Sequence, residues 1–333
     1  MQHDNRGSAH YHIGGIHIAL DYPHSLLACS RLAGFSIFKH NPAPNSIPNS
    51  IPNSTPNSTP NFTPNSIPNS TPNSIPNSIP DINIEFRTTD QLPGGGPDGG
   101  PGTAPDDSPL TCLEDGTYFM RLKNNGSAEG EIRAKLSAQE NKVICDVVGD
   151  ISPGTLAFAL WIIYAFYGLE KMKVPVHSSA VVCNKSAILF LGESGTGKST
   201  QASLWLRHIA QTKALNDDSP IVCIDADGKV YAHGSPWSGK GRVYLNESYP
   251  VAAFVRVEQS SRNHIERLNK LEAFVALFPS FPPQLTGFDH FEEIACNAIS
   301  AIIGSVPVYK LSCRPFADSA ILTHSTIFNS NLV

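Results

Sequence analysis

Residues 192–200 read GESGTGKST. The run fits G-x-x-x-x-G-K-[ST], with Gly192, Gly197, Lys198 and Ser199 in the constrained positions. Upstream, residues 187–191 (AILFL) form a short continuous apolar run of the kind a buried parallel strand needs. Downstream, residues 200–208 can continue as a helix. Strand, glycine loop and helix in that order predict an α/β domain. Glycines let the main chain close around an anion without Cβ clashes, so the N–H groups of Glu193, Ser194, Gly195, Thr196 and Thr200 and their neighbours are available to phosphate. The positive end of the following helix adds to that field. Lys198 is placed to neutralise β and γ phosphates and Ser199 to hold Mg²⁺. The Glu193 side chain is expected to face outward. The competing reading is an ordinary glycine-rich turn, and the ordered strand, lysine and helix argue against it.

Working outward, three features fall where they can converge on that loop. His177 stands in VPVHSSAVV, one strand pair upstream. Alone it reads as a surface or core histidine, but beside a phosphate loop it becomes a candidate phosphate contact or a partner for acids. Asp217 and Asp218 follow a short strand at residues 213–215, at the carboxyl edge where open α/β sheets bind ligands. Phosphoryl transfer needs one carboxylate on the metal and another to take the acceptor's proton, and the loop itself supplies neither. The competing reading is turn chemistry, since Asn-Asp-Asp-Ser-Pro is a strong turn sequence. Residues 233–240 (HGSPWSGK) make a glycine-bounded loop, from which Trp237 could wall an acceptor pocket. Lys240 or Arg242 could neutralise the transferring group. Glu247 is a weaker candidate metal ligand.

Residues 1–150 read as a β-rich N-terminal region and 151–333 as the nucleotide domain. In the first, segments 12–20, 32–38, 81–87, 117–122, 131–136 and 142–147 carry strand patterns, the last four suggesting a small antiparallel layer. Proline recurs every fourth residue from Pro44 to Pro80 in a Pro-Asn-Ser-Ile/Thr array, and 93–109 is rich in Gly and Pro. Such composition removes hydrogen-bond donors and offers little to bury, so both stretches are expected to be extended, disordered inserts. Ser152-Pro153 should start an apolar helix running to about residue 169. Further strands are expected at 180–183, 221–224, 229–232, 251–257, 264–268 and 308–311. Helices are expected at 271–278, 291–303 and from 315. Strands outnumber crossover helices, which predicts a mixed sheet.

The chain has 333 residues, a formal charge of −5 and seven cysteines, at 29, 112, 145, 183, 223, 296 and 313, with no C-x-x-C pair. That charge recruits neither nucleic acid nor an anionic membrane. The scattered thiols suit a reduced compartment, and residues 156–167 are too short an apolar run to span a bilayer, so a soluble cytoplasmic protein is expected.

The succession HSSAV at 177–181, GESGTGKST, NDD at 216–218 and GSPWSGK at 234–240 resembles the HPr kinase/phosphorylase-like family of the phosphoenolpyruvate carboxykinase-like P-loop superfamily. The resemblance covers about residues 150–320. It implies an ATP- and Mg²⁺-dependent kinase acting on a serine-type hydroxyl of a peptide, protein or small metabolite. Lys198 and the loop would hold the nucleotide, Ser199 and Asp217 the metal; Asp218 is favoured over Asp217 as base, and His177 would lie near the transferred phosphate. Relatives assemble as oligomers, so self-association is a further expectation. The Cys-Asp and Gly-Arg-Asn signatures that go with HPr recognition and phosphorolysis are absent from the C-terminal part. The alternative readings are a nucleotide-binding adaptor without transfer and, further off, a carboxykinase.

Overall fold

The structure is a computed structural model that describes residues 6–26, 32–40, 79–90, 108–124, 130–239 and 241–329. The Pro-Asn-Ser array lies outside these residues except for Ile79 and Pro80, as does the Gly/Pro stretch except for Ser108 and Pro109.

The first sheet has eight strands: β1 (Arg6–Ile13), β2 (Ile16–Pro23), β3 (Lys39–His40), β4 (Ile82–Thr88), β5 (Leu110–Cys112), β6 (Tyr118–Lys123), β7 (Gly130–Leu136) and β8 (Lys142–Gly149). They run in the order β3-β1-β2-β4-β8-β7-β6-β5. Alternation turns one face inward: Ala9, Tyr11 and Ile13 of β1 and Ile82, Ile84 and Phe86 of β4 are buried. Then come α1 (Pro153–Glu170), β9 (Lys173–Pro175), β10 (Ser178–Cys183), β11 (Ser186–Leu191), α2 (Lys198–His208), β12 (Lys213–Asp218), β13 (Ile221–Ile224) and β14 (Val230–His233). The chain closes with β15 (Ser248–Gln259), β16 (His264–Arg267), α3 (Lys270–Leu277), α4 (Asp289–Ser305), β17 (Val308–Cys313) and α5 (Ala317–Asn329). The second sheet runs β12-β10-β11-β15-β14-β13-β9, with β17 beside β15 and β16 beside β17. Its β11–β15 and β15–β17 pairs are parallel and most others antiparallel, so the mixed α/β architecture expected from the strand count is present.

Helix α1 ties the two sheets. Ser152 caps it, its Oγ accepting from the Thr155 amide at 3.0 Å, and Pro153 sits where no intrahelical donor is needed. Apolar nearly all round, it is buried over most of its length. Tyr164 Oη donates to the carbonyl of Ile13 at 3.1 Å, and Phe166 packs edge-on to Tyr118 and Phe291. No helix among the described residues is long and apolar enough to cross a membrane. A second apolar cluster, around Phe190, Trp205 and Leu311, fills the space under α2 and α5.

Three expectations for the N-terminal region need correction. Segment 12–20 is not one strand: Gly14 and Gly15, at φ 55° and 74°, turn the chain into the β1–β2 hairpin, because only glycine takes two successive left-handed conformations cheaply. Residues Ala33–Phe38 are a 3-10 helix rather than a strand, with Phe35 and Phe38 buried on one side. Nor is the sheet purely antiparallel, since β4 pairs parallel with both β2 and β8. Alternating apolar residues specify a buried face but not the direction of the neighbouring strand.

Phe166→Ala should remove a fully buried ring between α1, β6 and α4. The expected cost is about 3–5 kcal/mol, read as a lowered midpoint in chemical denaturation.

Candidate active site

The glycine loop leaves the C-terminal end of β11 and enters α2 at Lys198. Gly192 has φ 140°, and a Cβ there would come within 2.5 Å of Thr196 Oγ1. Gly197, the residue before the helix, has φ 112°. Both conformations exclude a β-carbon, which is why the motif holds glycine there. Thr196 Oγ1 donates to the Glu193 carbonyl at 2.9 Å, and Gln259 Nε2 to the Gly195 carbonyl at 3.0 Å. Lys198 folds back over the loop, its Nζ donating to the carbonyls of Gly192 and Glu193 at 2.7 and 2.9 Å. Burial pulls its pKa down, and the carboxylates of Asp218 and Asp217 oppose that. The Glu193 side chain is exposed, as expected.

The two acids take different directions. Strand β10 pairs antiparallel with β12, setting Ser179 opposite Asp217 and Ser178 opposite Asp218. Asp217 Oδ1 accepts from Ser199 Oγ at 2.8 Å and from Ser179 Oγ at 2.7 Å, so it belongs to the loop. Asp218 Oδ1 lies 3.3 Å from His177 Nδ1, and both are about half exposed. Neighbours in sequence point to opposite faces of a strand, and here that alternation divides the pair.

The NDD end of β12 is held by the one member that carries no charge. Asn216 is buried; its Oδ1 accepts from the amides of Asp218 and Ser219 at 3.1 and 2.8 Å. Its Nδ2 donates to the carbonyls of Ser235 and Trp237 at 3.1 and 3.2 Å, and Gly239 N donates to the Asp217 carbonyl at 2.7 Å. Segment 234–239 is thereby stitched alongside the acids. Trp237 is buried, with Nε1 donating to the Ala157 carbonyl of α1 at 2.9 Å. Beside His177 and Asp218 opens a cavity of about 700 Å³, also lined by Trp237 and Arg242. The loop, the acid pair, His177, Trp237 and Arg242 thus lie together around one sheet edge.

Glu247 does not. It pairs with Lys213 and Tyr249 at the start of β12, the opposite end of that strand from Asp218, so the weaker metal-ligand candidacy fails. Lys240 lies outside the described residues. Sequence reasoning missed Ser179, whose hydroxyl completes the Asp217 cluster, and Arg256. Arg256 stands on β15 level with Leu191, its Nη1 buried without a hydrogen-bond partner and its Nη2 3.7 Å from Glu193 Oε1. A signal existed: Arg256 is the single charge in VAAFVRV, a run whose burial otherwise demands apolar residues.

No protein-family model matches this sequence, and no curated protein does. Among solved structures it is similar to the Hpr(Ser) kinase/phosphatase from Coxiella burnetii. The match has 12% identity and a TM-score of 0.28, covering 47% of this chain and 89% of that one. At that score the likeness carries no argument about chemistry, which has to come from the side chains themselves.

Asn216→Ala should strand the amides of Asp218 and Ser219 and cost about 2–4 kcal/mol. The expected readouts are a lower denaturation midpoint and faster amide exchange at residues 216–219; unchanged exchange there would show that the end of β12 holds without the carboxamide.

Proposed function

We propose that the chain is a Mg²⁺-dependent phosphotransferase that moves the γ-phosphoryl of ATP to an alcohol hydroxyl. The observation that carries this reading is the division of labour between adjacent acids: Asp217 faces the glycine loop through Ser199, while Asp218 faces His177 and a cavity. A turn that needed acids only for capping would not require one on each side of the loop's mouth.

The loop amides and Lys198 bind the phosphates, Lys198 exchanging its two carbonyl partners for phosphate oxygens. Ser199 and Asp217 would hold Mg²⁺. Hydroxyl and carboxylate are the hard oxygen donors that ion takes, and it commonly keeps only one or two protein ligands beside phosphate and water. When bound, it neutralises phosphate charge. The acceptor hydroxyl enters from the cavity. Its oxygen attacks the γ-phosphorus, an O–P bond forms, and the bond to the β–γ bridging oxygen breaks with its electron pair leaving on ADP. The hydroxyl proton passes to Asp218, which His177 orients. Arg256, with a buried unpaired nitrogen beside residues 193–196, is assigned to a phosphate oxygen, where a preorganised cation counters charge that builds in the transition state.

With labelled ATP and Mg²⁺, transfer should vanish in Asp218→Asn while nucleotide affinity persists, and Lys198→Ala should lose both. An Asp218→Asn protein that still transfers phosphate sinks the base assignment. A parent that binds nucleotide but never transfers it favours an adaptor instead. Arg256→Met should lower kcat by ~10²-fold with a smaller change in nucleotide KM, the signature of a contact that strengthens in the transition state.

A further inference from the structure

Between its two exposed ends, helix α1 breaks its own pattern at one place. Buried almost everywhere, it leaves Phe158 37% exposed and Trp161 partly so, on the turn nearest Asp218. The two rings stack at 5.9 Å with an interplanar angle of 21°. Trp161 is fixed from below, its Nε1 donating to Ser219 Oγ at 2.8 Å, one residue past Asp218. Trp237 forms another part of the wall, locked by its bond to Ala157 and by an edge-on contact with Phe35 at 5.5 Å. An aromatic surface this rigid, left open to a cavity, is what a flat apolar group stacks against. The volume of about 700 Å³ falls in the usual range for small-molecule sites.

Polar groups enter that cavity at several points, Ser219, Ser238, Tyr244 and Gln284 among them, and three of the polar residues can carry charge. His177 and Asp218 stand together on one side, and Arg242 on another. The Arg242 side chain is exposed, and among the described residues no carboxylate is paired with it. Its backbone takes φ 48°, held by the Gly239 carbonyl accepting from its amide at 3.1 Å. A guanidinium with no carboxylate partner among the described residues, at the edge of a cavity walled by aromatic rings, matches a carboxylate. Three requirements then fall on one ligand: a ring for the aromatic walls, an anion for Arg242, and a hydroxyl for Asp218.

We infer that the cavity takes a small hydroxy acid with an aromatic body, which the proposed transfer would phosphorylate on its hydroxyl. The identity of the acceptor class rests on the phosphotransferase reading; the existence of the ligand site does not. Free serine and lactate lack the ring.

The test uses the full chain and its tryptophan emission, since Trp161 and Trp237 line the cavity while Trp205 is buried in the other core. The probes are 3-phenyllactate, lactate and 2-phenylethanol. Phenyllactate should titrate saturably and at least tenfold more tightly than either fragment. Arg242→Gln should erase its advantage over 2-phenylethanol without changing 2-phenylethanol binding, and Phe158→Ala should weaken both ring compounds. Equal affinity for lactate and phenyllactate, or an undiminished preference in Arg242→Gln, overturns the inference. Labelled ATP with Mg²⁺ then separates the two claims. Phenyllactate that binds as described but never acquires label leaves the ligand site standing and defeats the phosphotransferase reading. Label appearing only on protein, with no phenyllactate titration, does the reverse.

Discussion

The antiparallel register of β10 on β12 is the constraint on which the site depends. It places Ser179 across from Asp217 and Ser178 across from Asp218, in a register that shifts by one residue between Ala180 and Val181, just before the acids. A slip of one residue that brought Asp218 opposite Ser179 would move Asp217 opposite Ala180, into the place of buried Asn216. Asn216, just before them, is the pin: a buried carboxamide can satisfy two amides and two carbonyls at once, which a charged residue there could not do without a large desolvation cost.

Around this register the chain arranges a cationic side and an aromatic side. The glycine loop, Lys198 and Arg256 concentrate positive charge at the carboxyl ends of β11 and β15, where two parallel strands finish side by side. Across the acid pair lie Trp161, Trp237 and Phe158. Asp218 sits at the boundary between these halves, the place the proposed transfer would need for a group that meets both phosphoryl donor and organic acceptor. Helix α1 serves both: its buried faces join the two sheets, and its single aromatic exposure faces the cavity. One element therefore couples stability to the shape of the chamber, so core substitutions in α1 and changes in ligand preference are not independent.

The local sequence carried the glycine loop, its flanking strand and helix, the cap of α1 and the acid pair, because each depends on residues a few positions apart. Glycine at 192 and 197 answers a backbone need visible in the motif, and Ser152-Pro153 answers the orphan amides of a helix start. The N-terminal region read less well. A hairpin looked like one long strand because apolar residues alternate on both sides of Gly14 and Gly15, although the phase changes there from 11 and 13 to 16, 18 and 20. A 3-10 turn looked like a strand because Phe35 and Ile37 alternate, whereas the buried pair is Phe35 and Phe38, three apart.

What the chain's order of residues determined was the set of groups at hand: a glycine loop between strand and helix, a lysine, two carboxylates and a nearby histidine. What only the tertiary structure decided was direction. It sent Asp217 to the loop and Asp218 to the cavity, retired Glu247 to the far end of its strand, and brought Arg256 beside the loop from 64 positions past Gly192 (256 − 192). Strand pairing and helix packing set these outcomes. Both are satisfied by contacts between segments distant in the chain, which no local pattern can encode.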